Sequence, residues 1–230
     1  MRTFTKRVIP GLFLILGMYN FSRCGLPSAV ANVGRPAVQE PRDTDLALTP
    51  TIVNLTQNIP GLKTDVRYAT THNFTGQVLY ASGTPYLVAE VAESLLTVQN
   101  ELRNMGLQLL VFDGYRPLAV QKKMWKIYPD SRYVANPVHG SRHNRGCAVD
   151  LTLADSTGQP LVMPTGYDDF TEKANAGFRD LPAQQLANRA LLKLVMEKHG
   201  FVGLKSEWWH FDFRGWRNYP VLDIPIPAER

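Results

Sequence analysis

Residues 141–150 read Ser-Arg-His-Asn-Arg-Gly-Cys-Ala-Val-Asp, and this segment restricts the fold more than any other. His143 and Asp150 stand seven positions apart with Gly146 between them. They converge if the chain turns near Asn144–Gly146, where glycine permits a tight reversal, and then runs on as a strand. On that strand Asp150 shares a face with Ala148 and Thr152. The second informative segment is Glu207-Trp208-Trp209-His210. A strand running through all four would turn Glu207 and His210 to opposite faces. Glu207 therefore belongs on a turn or bulge ahead of a strand that carries His210.

Two imidazoles and one carboxylate suit a catalytic zinc ion, one per chain, with the fourth position left to water. Bound zinc lowers the pKa of that water from ~15.7 toward ~7, and a nearby carboxylate, here Glu207, can take its proton. A third segment, Phe112-Asp113-Gly114-Tyr115-Arg116-Pro117, puts Arg116 at the end of a strand. There it can hydrogen-bond the oxyanion that forms when water attacks a carbonyl.

The rest of the chain supplies a frame. Leu87, Val91, Leu95, Val98, Leu102 and Met105 recur at helical spacing, and Gly106 ends the run. Leu107–Asp113 is a short apolar run expected as a buried strand. A helix from Leu118 to Tyr128 follows Pro117, which a first turn tolerates. Another spans Gln184 to His199, with Leu186, Leu191, Leu194 and Val195 on one side and Gly200 after it. Trp208–Phe213 is aromatic enough for a strand. Helices and strands mix without regular βαβ alternation, which predicts an α+β fold: a small central, mostly antiparallel sheet flanked by helices, in a single catalytic domain. Ten Phe, nine Tyr and four Trp allow a sizeable core without staples.

The first 31 residues read differently. Arg2, Lys6 and Arg7 precede an apolar stretch from Val8 to Phe21, and Ala29 and Ala31 fit a small-x-small cleavage pattern. These are the parts of a cleaved secretory signal peptide. The 14-residue apolar run is short of the ~20 that a membrane-spanning helix needs. Arg23 before Cys24 argues against lipid attachment at that cysteine. Residues 32–50 are rich in Pro and polar side chains and read as an extended arm, leaving 51–230 as the catalytic domain. Residues 1–31 hold four basic side chains (Arg2, Lys6, Arg7, Arg23) and no acidic one, so their removal takes the formal charge from +5 to +1 over 199 residues. That leaves no electrostatic case for binding nucleic acid. Cys147 then remains without a partner for an internal disulfide. The expected location is the periplasm, with secretion as the alternative, and with no membrane anchor and no obligate protein partner.

The segments SRHNRGCAVD and EWWH resemble the S-x-H-x-x-G-x-A-x-D and E-x-x-H signatures of zinc D-alanyl-D-alanine dipeptidases of the VanX type, within a larger group of D-Ala-processing carboxypeptidases. The resemblance extends to TDVRYATTHNFTG (Thr64 to Gly76), DGYRP and MPTGYDDF (Met163 to Phe170), and so covers nearly all of the chain after Asn54. YATxxNFTG is the stretch that narrows it to the dipeptidases. The resemblance implies His143, Asp150 and His210 as zinc ligands, Glu207 as general base and Arg116 as transition-state stabiliser. It implies Tyr68 and Asp168 as a clamp on the free amino group of a small D-amino-acid dipeptide, with Ser141 near its carboxylate. It also implies a small closed cavity. The stretch QVLYASGTPY departs from the family pattern and leaves Tyr80 as a carboxylate-side candidate; Cys147 stands where a small residue is expected.

Other readings compete. Arg116 could pair with Asp113 on a surface turn, Tyr68 could be a core tyrosine, and Asp168 could cap a following helix. Cys147 could be a fourth ligand or a nucleophile rather than a buried inert thiol. Asn54-Leu55-Thr56 and Asn73-Phe74-Thr75 match a glycosylation sequon. His72, His139 and His199 read as surface or structural. At the level of function the alternatives are a D,D- or L,D-carboxypeptidase that trims peptidoglycan stem peptides, and a wall-binding or zinc-storage module without activity.

Overall fold

The computed structural model describes residues 50–228. The expected signal peptide with Cys24, and all but the last residue of the expected arm, lie outside the described residues. Among the described residues the strands are β1 (Ile52–Asn54), β2 (Lys63–Thr64), β3 (Tyr86–Val88), β4 (Leu107–Asp113), β5 (Ala148–Asp155), β6 (Phe201–Gly203) and β7 (His210–Phe213). The α-helices are α1 (Leu55–Asn58), α2 (Ala89–Arg103), α3 (Leu118–Ile127) and α4 (Ala183–Lys198). One sheet has the order β2-β4-β5-β7-β6, with a single parallel pairing between β2 and β4; β1 and β3 form a separate antiparallel pair. This is the expected α+β architecture.

Apolar periodicity explains how the sheet is covered. Val91, Leu95, Val98 and Leu102 form one fully buried stripe of α2, each contributing roughly 1.5–3 kcal/mol on burial. They join Leu192, Val195 and Met196 of α4 in a cluster that also holds Val149, Leu151 and Leu153 of β5. Because side chains alternate along a strand, Asp150 and Thr152 point to the opposite face.

Boundaries shift where tertiary pairing competes with periodicity. Leu87 belongs to β3 rather than to the helix, because Val88 N–H donates to Gly146 O and the segment pairs with β1. Met105 is half exposed, so the buried stripe stops at Leu102. Leu194 points into solvent, and Asn188 shares the buried face of α4 in its place. Trp208 and Trp209 precede β7 instead of starting it. Each indole is buried, and Trp208 is tied to Ala174 O and Thr165 Oγ1, which holds the chain in a turn.

A bulge in β4 places the polar row. Val111 pairs with Leu151, but the register then shifts so that Asp113, not Phe112, faces Asp150. Asp150 pairs in turn with His210. Asp113, Asp150 and His210 therefore form a row across three adjacent strands on one face. Bulges re-aim side chains in this way beside active sites.

Candidate active site

His143 lies in a short 3₁₀ turn, His143–Arg145, that ends at Gly146. Gly146 has φ 65°, and a Cβ there would stand 3.0 Å from Val88 Cγ2 and 3.1 Å from its backbone nitrogen. Glycine is therefore required for the chain to reverse against β3 and enter β5. His143 Nδ1 lies 2.7 Å from Gly114 O. A carbonyl only accepts, so Nδ1 carries the proton and Nε2 turns inward with its lone pair. Gly114 is held equally close, since a Cβ would lie 2.5 Å from Tyr86 O. His210 Nε2 lies 2.9 Å from Asp212 Oδ1, so by the same logic its Nδ1 faces inward. Outer partners of this kind fix the tautomer of metal-binding histidines.

The inward atoms converge. His143 Nε2 is 3.2 Å from His210 Nδ1, His210 Nδ1 is 2.9 Å from Asp150 Oδ1, and His143 Nε2 is 3.5 Å from Asp150 Oδ2. Donors about 2.0–2.1 Å from a tetrahedral zinc ion stand about 3.3–3.4 Å apart, close to the 3.2 Å between the two imidazole nitrogens, and Asp150 presents one oxygen to each of them. All three residues are buried, and one donor atom from each lies within 4.8 Å of the others. Burial acts against ionisation of Asp150, but His143 and His210 outweigh it and hold the carboxyl below the usual range. Burial likewise opposes an imidazolium at His210, yet Asp150 and Asp212 raise its pKa well above the ordinary value. A pocket that so favours positive charge between these groups fits a cation.

Glu207 sits on the turn before β7, its Oε2 3.8 Å from His210 Nδ1. Enclosure raises its pKa; His210 pulls it down and Asp150 pushes it up, and the net shift is upward. Arg116 follows β4 and is buried. Its Nε and Nη2 donate to Asp113 Oδ2 at 3.2 and 2.6 Å, and Nη1 donates to Gln121 Oε1 at 3.0 Å. Of the five guanidinium N–H groups, two remain for another acceptor. The pairing with Asp113 exists, but as a buried support rather than a surface turn.

Tyr68 donates to Asp168 Oδ2 at 2.9 Å, and the Arg116 guanidinium lies 5.1 Å over the Tyr68 ring. Enclosure and the nearby Asp150 push the Asp168 carboxyl up to about 8. Asp168 has φ 57°, and Thr171 precedes the next 3₁₀ turn, so Asp168 is no helix cap. Ser141 Oγ accepts from Asn144 N–H, while Asn144 Oδ1 accepts from Ser141 N–H, which leaves the serine hydroxyl proton free to donate. Tyr68, Arg116, Ser141, His143, Asp150, Asp168, Glu207 and His210 all line one cleft of about 270 Å³, near the lower end of small-ligand sites.

Other candidates fall elsewhere. Tyr80 donates to Asp113 Oδ1 at 2.8 Å and so supports Arg116 from behind; it does not line the cleft. Cys147 is buried in the apolar cluster, with its thiol pushed up to about 12 by burial. It is not part of the donor set. His199 pairs with Glu101 away from the site. Asn54 caps α1, and the Asn73 amide donates to Thr70 O and Gln77 O, so both serve local turns. Sequence reasoning missed Asp212, Gln121 and Tyr167. Asp212 had a signal, since it lies two residues beyond His210 on the same strand face. Gln121 and Tyr167 had none, because their contacts depend on tertiary placement.

The model of a protein family described as D-Ala-D-Ala dipeptidase matches residues 49–220. The chain is 37% identical over 174 residues to the D-alanyl-D-alanine dipeptidase of Escherichia coli (strain K12), covering 76% of this chain and 90% of that one. It is 32% identical over 198 residues to the D-alanyl-D-alanine dipeptidase of Enterococcus faecium, covering 75% and 96%. Among solved structures, VanYB in complex with D-alanine-D-alanine is similar at a TM-score of 0.40 and 17% identity, covering 59% of this chain and 76% of that one. The extent of the family match and the identities to the two dipeptidases carry the assignment: the chain belongs to the D-Ala-D-Ala dipeptidase family.

Proposed function

We propose that the chain is a zinc-dependent dipeptidase that hydrolyses D-Ala-D-Ala to two D-alanines. The observation that carries this reading is the meeting of the His143, Asp150 and His210 donors, Glu207 and the Tyr68–Asp168 pair in one small cleft. His143 Nε2, His210 Nδ1 and Asp150 hold the zinc, which when bound supplies Lewis acidity and a lowered pKa for water. Glu207, made more basic by its enclosure, takes the proton of the attacking water and returns it to the leaving amine. Arg116 offers its two remaining N–H groups to the oxyanion. Tyr68 and Asp168 hold the substrate ammonium, and Ser141 donates to its carboxylate.

The amino clamp separates a dipeptidase from a carboxypeptidase, because the latter cannot demand a free amine beside the scissile bond. N-acetylation of D-Ala-D-Ala is expected to lower kcat/KM by about 10²-fold or more, since losing one partner of a buried charged contact costs ~2–5 kcal/mol. Steady-state assays of both compounds check this; equal rates would favour the carboxypeptidase. Chelation is expected to abolish turnover and added zinc to restore it. A purified protein without metal or chelator-sensitive activity would instead point to a binding module.

Export to the periplasm belongs to the same proposal, with recovery of D-alanine from cell-wall turnover as its role. The pattern of residues 1–31 supports it. No described helix is long and apolar enough to cross a membrane. Cell fractionation tests it, and full-length protein in the cytoplasm would reverse it.

A further inference from the structure

We propose that Tyr167 is a positioning residue of the metal site, one whose hydroxyl fixes the Asp150 carboxylate in the orientation that a zinc ion requires. The inference rests on the zinc reading above and adds to it a residue outside the donor set. Tyr167 Oη donates to Asp150 Oδ2 at 2.9 Å. The other oxygen, Oδ1, stands 2.9 Å from His210 Nδ1. The hydroxyl therefore engages Oδ2, which stands 3.5 Å from His143 Nε2, while Oδ1 faces His210 Nδ1, so that one carboxylate oxygen is turned toward each inward imidazole nitrogen. Without that bond the carboxylate could rotate about its Cβ–Cγ axis, a broad and weakly restrained torsion.

The ring that carries this hydroxyl is held on three sides. Phe112 stacks on it at 4.8 Å with an interplanar angle of 18°, Trp209 meets it edge-on at 5.7 Å, and Tyr68 does so at 6.1 Å. Phe112 is the residue at which the β4 register shifts, and Trp209 immediately precedes His210. Two of the supports thus come from segments that also supply Asp113 and a metal donor. Asp168, next in the chain, adopts φ 57°. In an extended segment adjacent side chains point apart. Here the left-handed residue lets Tyr167 reach Asp150 while Asp168 accepts from Tyr68. That conformation costs roughly 1–2 kcal/mol, which Asp tolerates better than most residues. The ligand carboxylate and the amino clamp are consequently held by consecutive residues.

The test compares zinc affinity in the wild type and in Tyr167→Phe, using competition with a chromophoric chelator. Melting of each zinc-free protein is measured alongside. Loss of an outer-shell partner typically weakens metal binding 10–100-fold. The variant is expected to show a loss in that range, near-unchanged zinc-free melting, and recovery of turnover as zinc is raised. Two further variants separate the causes. Asp168→Asn should raise KM while leaving zinc affinity unchanged. Phe112→Leu keeps the hydroxyl and should weaken zinc less than Tyr167→Phe does. Wild-type zinc affinity in Tyr167→Phe overturns the proposal, as does an equal loss in Phe112→Leu, which would assign the effect to packing. A wild-type protein that binds no zinc rejects the metal reading itself, a distinct outcome.

Discussion

Replacing Glu207 by Gln is expected to lower kcat by about 10²–10⁴-fold, the range typical of removing a general acid–base group. The substitution keeps the shape of the side chain and removes its ability to take a proton. Its position on the turn is set by the buried Trp208 and Trp209, not by its charge, so the fold should persist. Zinc should also remain, because the converging donors come from His143, Asp150 and His210. The measurement pairs kcat with zinc content of the purified variant. Near-normal turnover would remove Glu207 from proton transfer, and joint loss of zinc and activity would make it part of the metal cage.

Arg116→Lys should cost about 10²–10³-fold in kcat, with a smaller change in KM. The guanidinium is a planar fork whose five donors are divided among Asp113, Gln121 and the cleft. A lysine keeps the charge opposite Asp113 but cannot hold that anchor and reach an oxyanion at once. Charge retention matters for interpretation. Leaving Asp113 buried without its opposite charge would cost ~3–5 kcal/mol and confuse catalysis with unfolding. Steady-state kinetics together with a melting curve check the result; an unchanged kcat would leave Arg116 as a purely structural pair of Asp113.

Much of this site was legible along the chain. His143, Asp150, Glu207 and His210 stand at spacings that a turn followed by a strand brings together, and that is how they are arranged. The turn also had to contain Gly146, where a side chain would strike β3. Helix cores such as Val91 to Leu102 followed from periodicity, because burial of one face repeats every three to four residues. The ends of elements were less accessible. Leu87 fits an amphipathic helix as well as it fits a strand, and the nearby β1 decided between them.

The one-dimensional pattern determined which side chains could do chemistry, since donor type and spacing are local properties. Their orientation was left to the tertiary structure. The β4 bulge turned Asp113 toward Asp150, and Tyr80, expected near substrate, went to Asp113 instead. Gly114 O and Tyr167 each reached the converging donors across strand pairings or long loops. Such contacts depend on register and on packing between distant segments, and neither is encoded in the spacing of neighbouring residues.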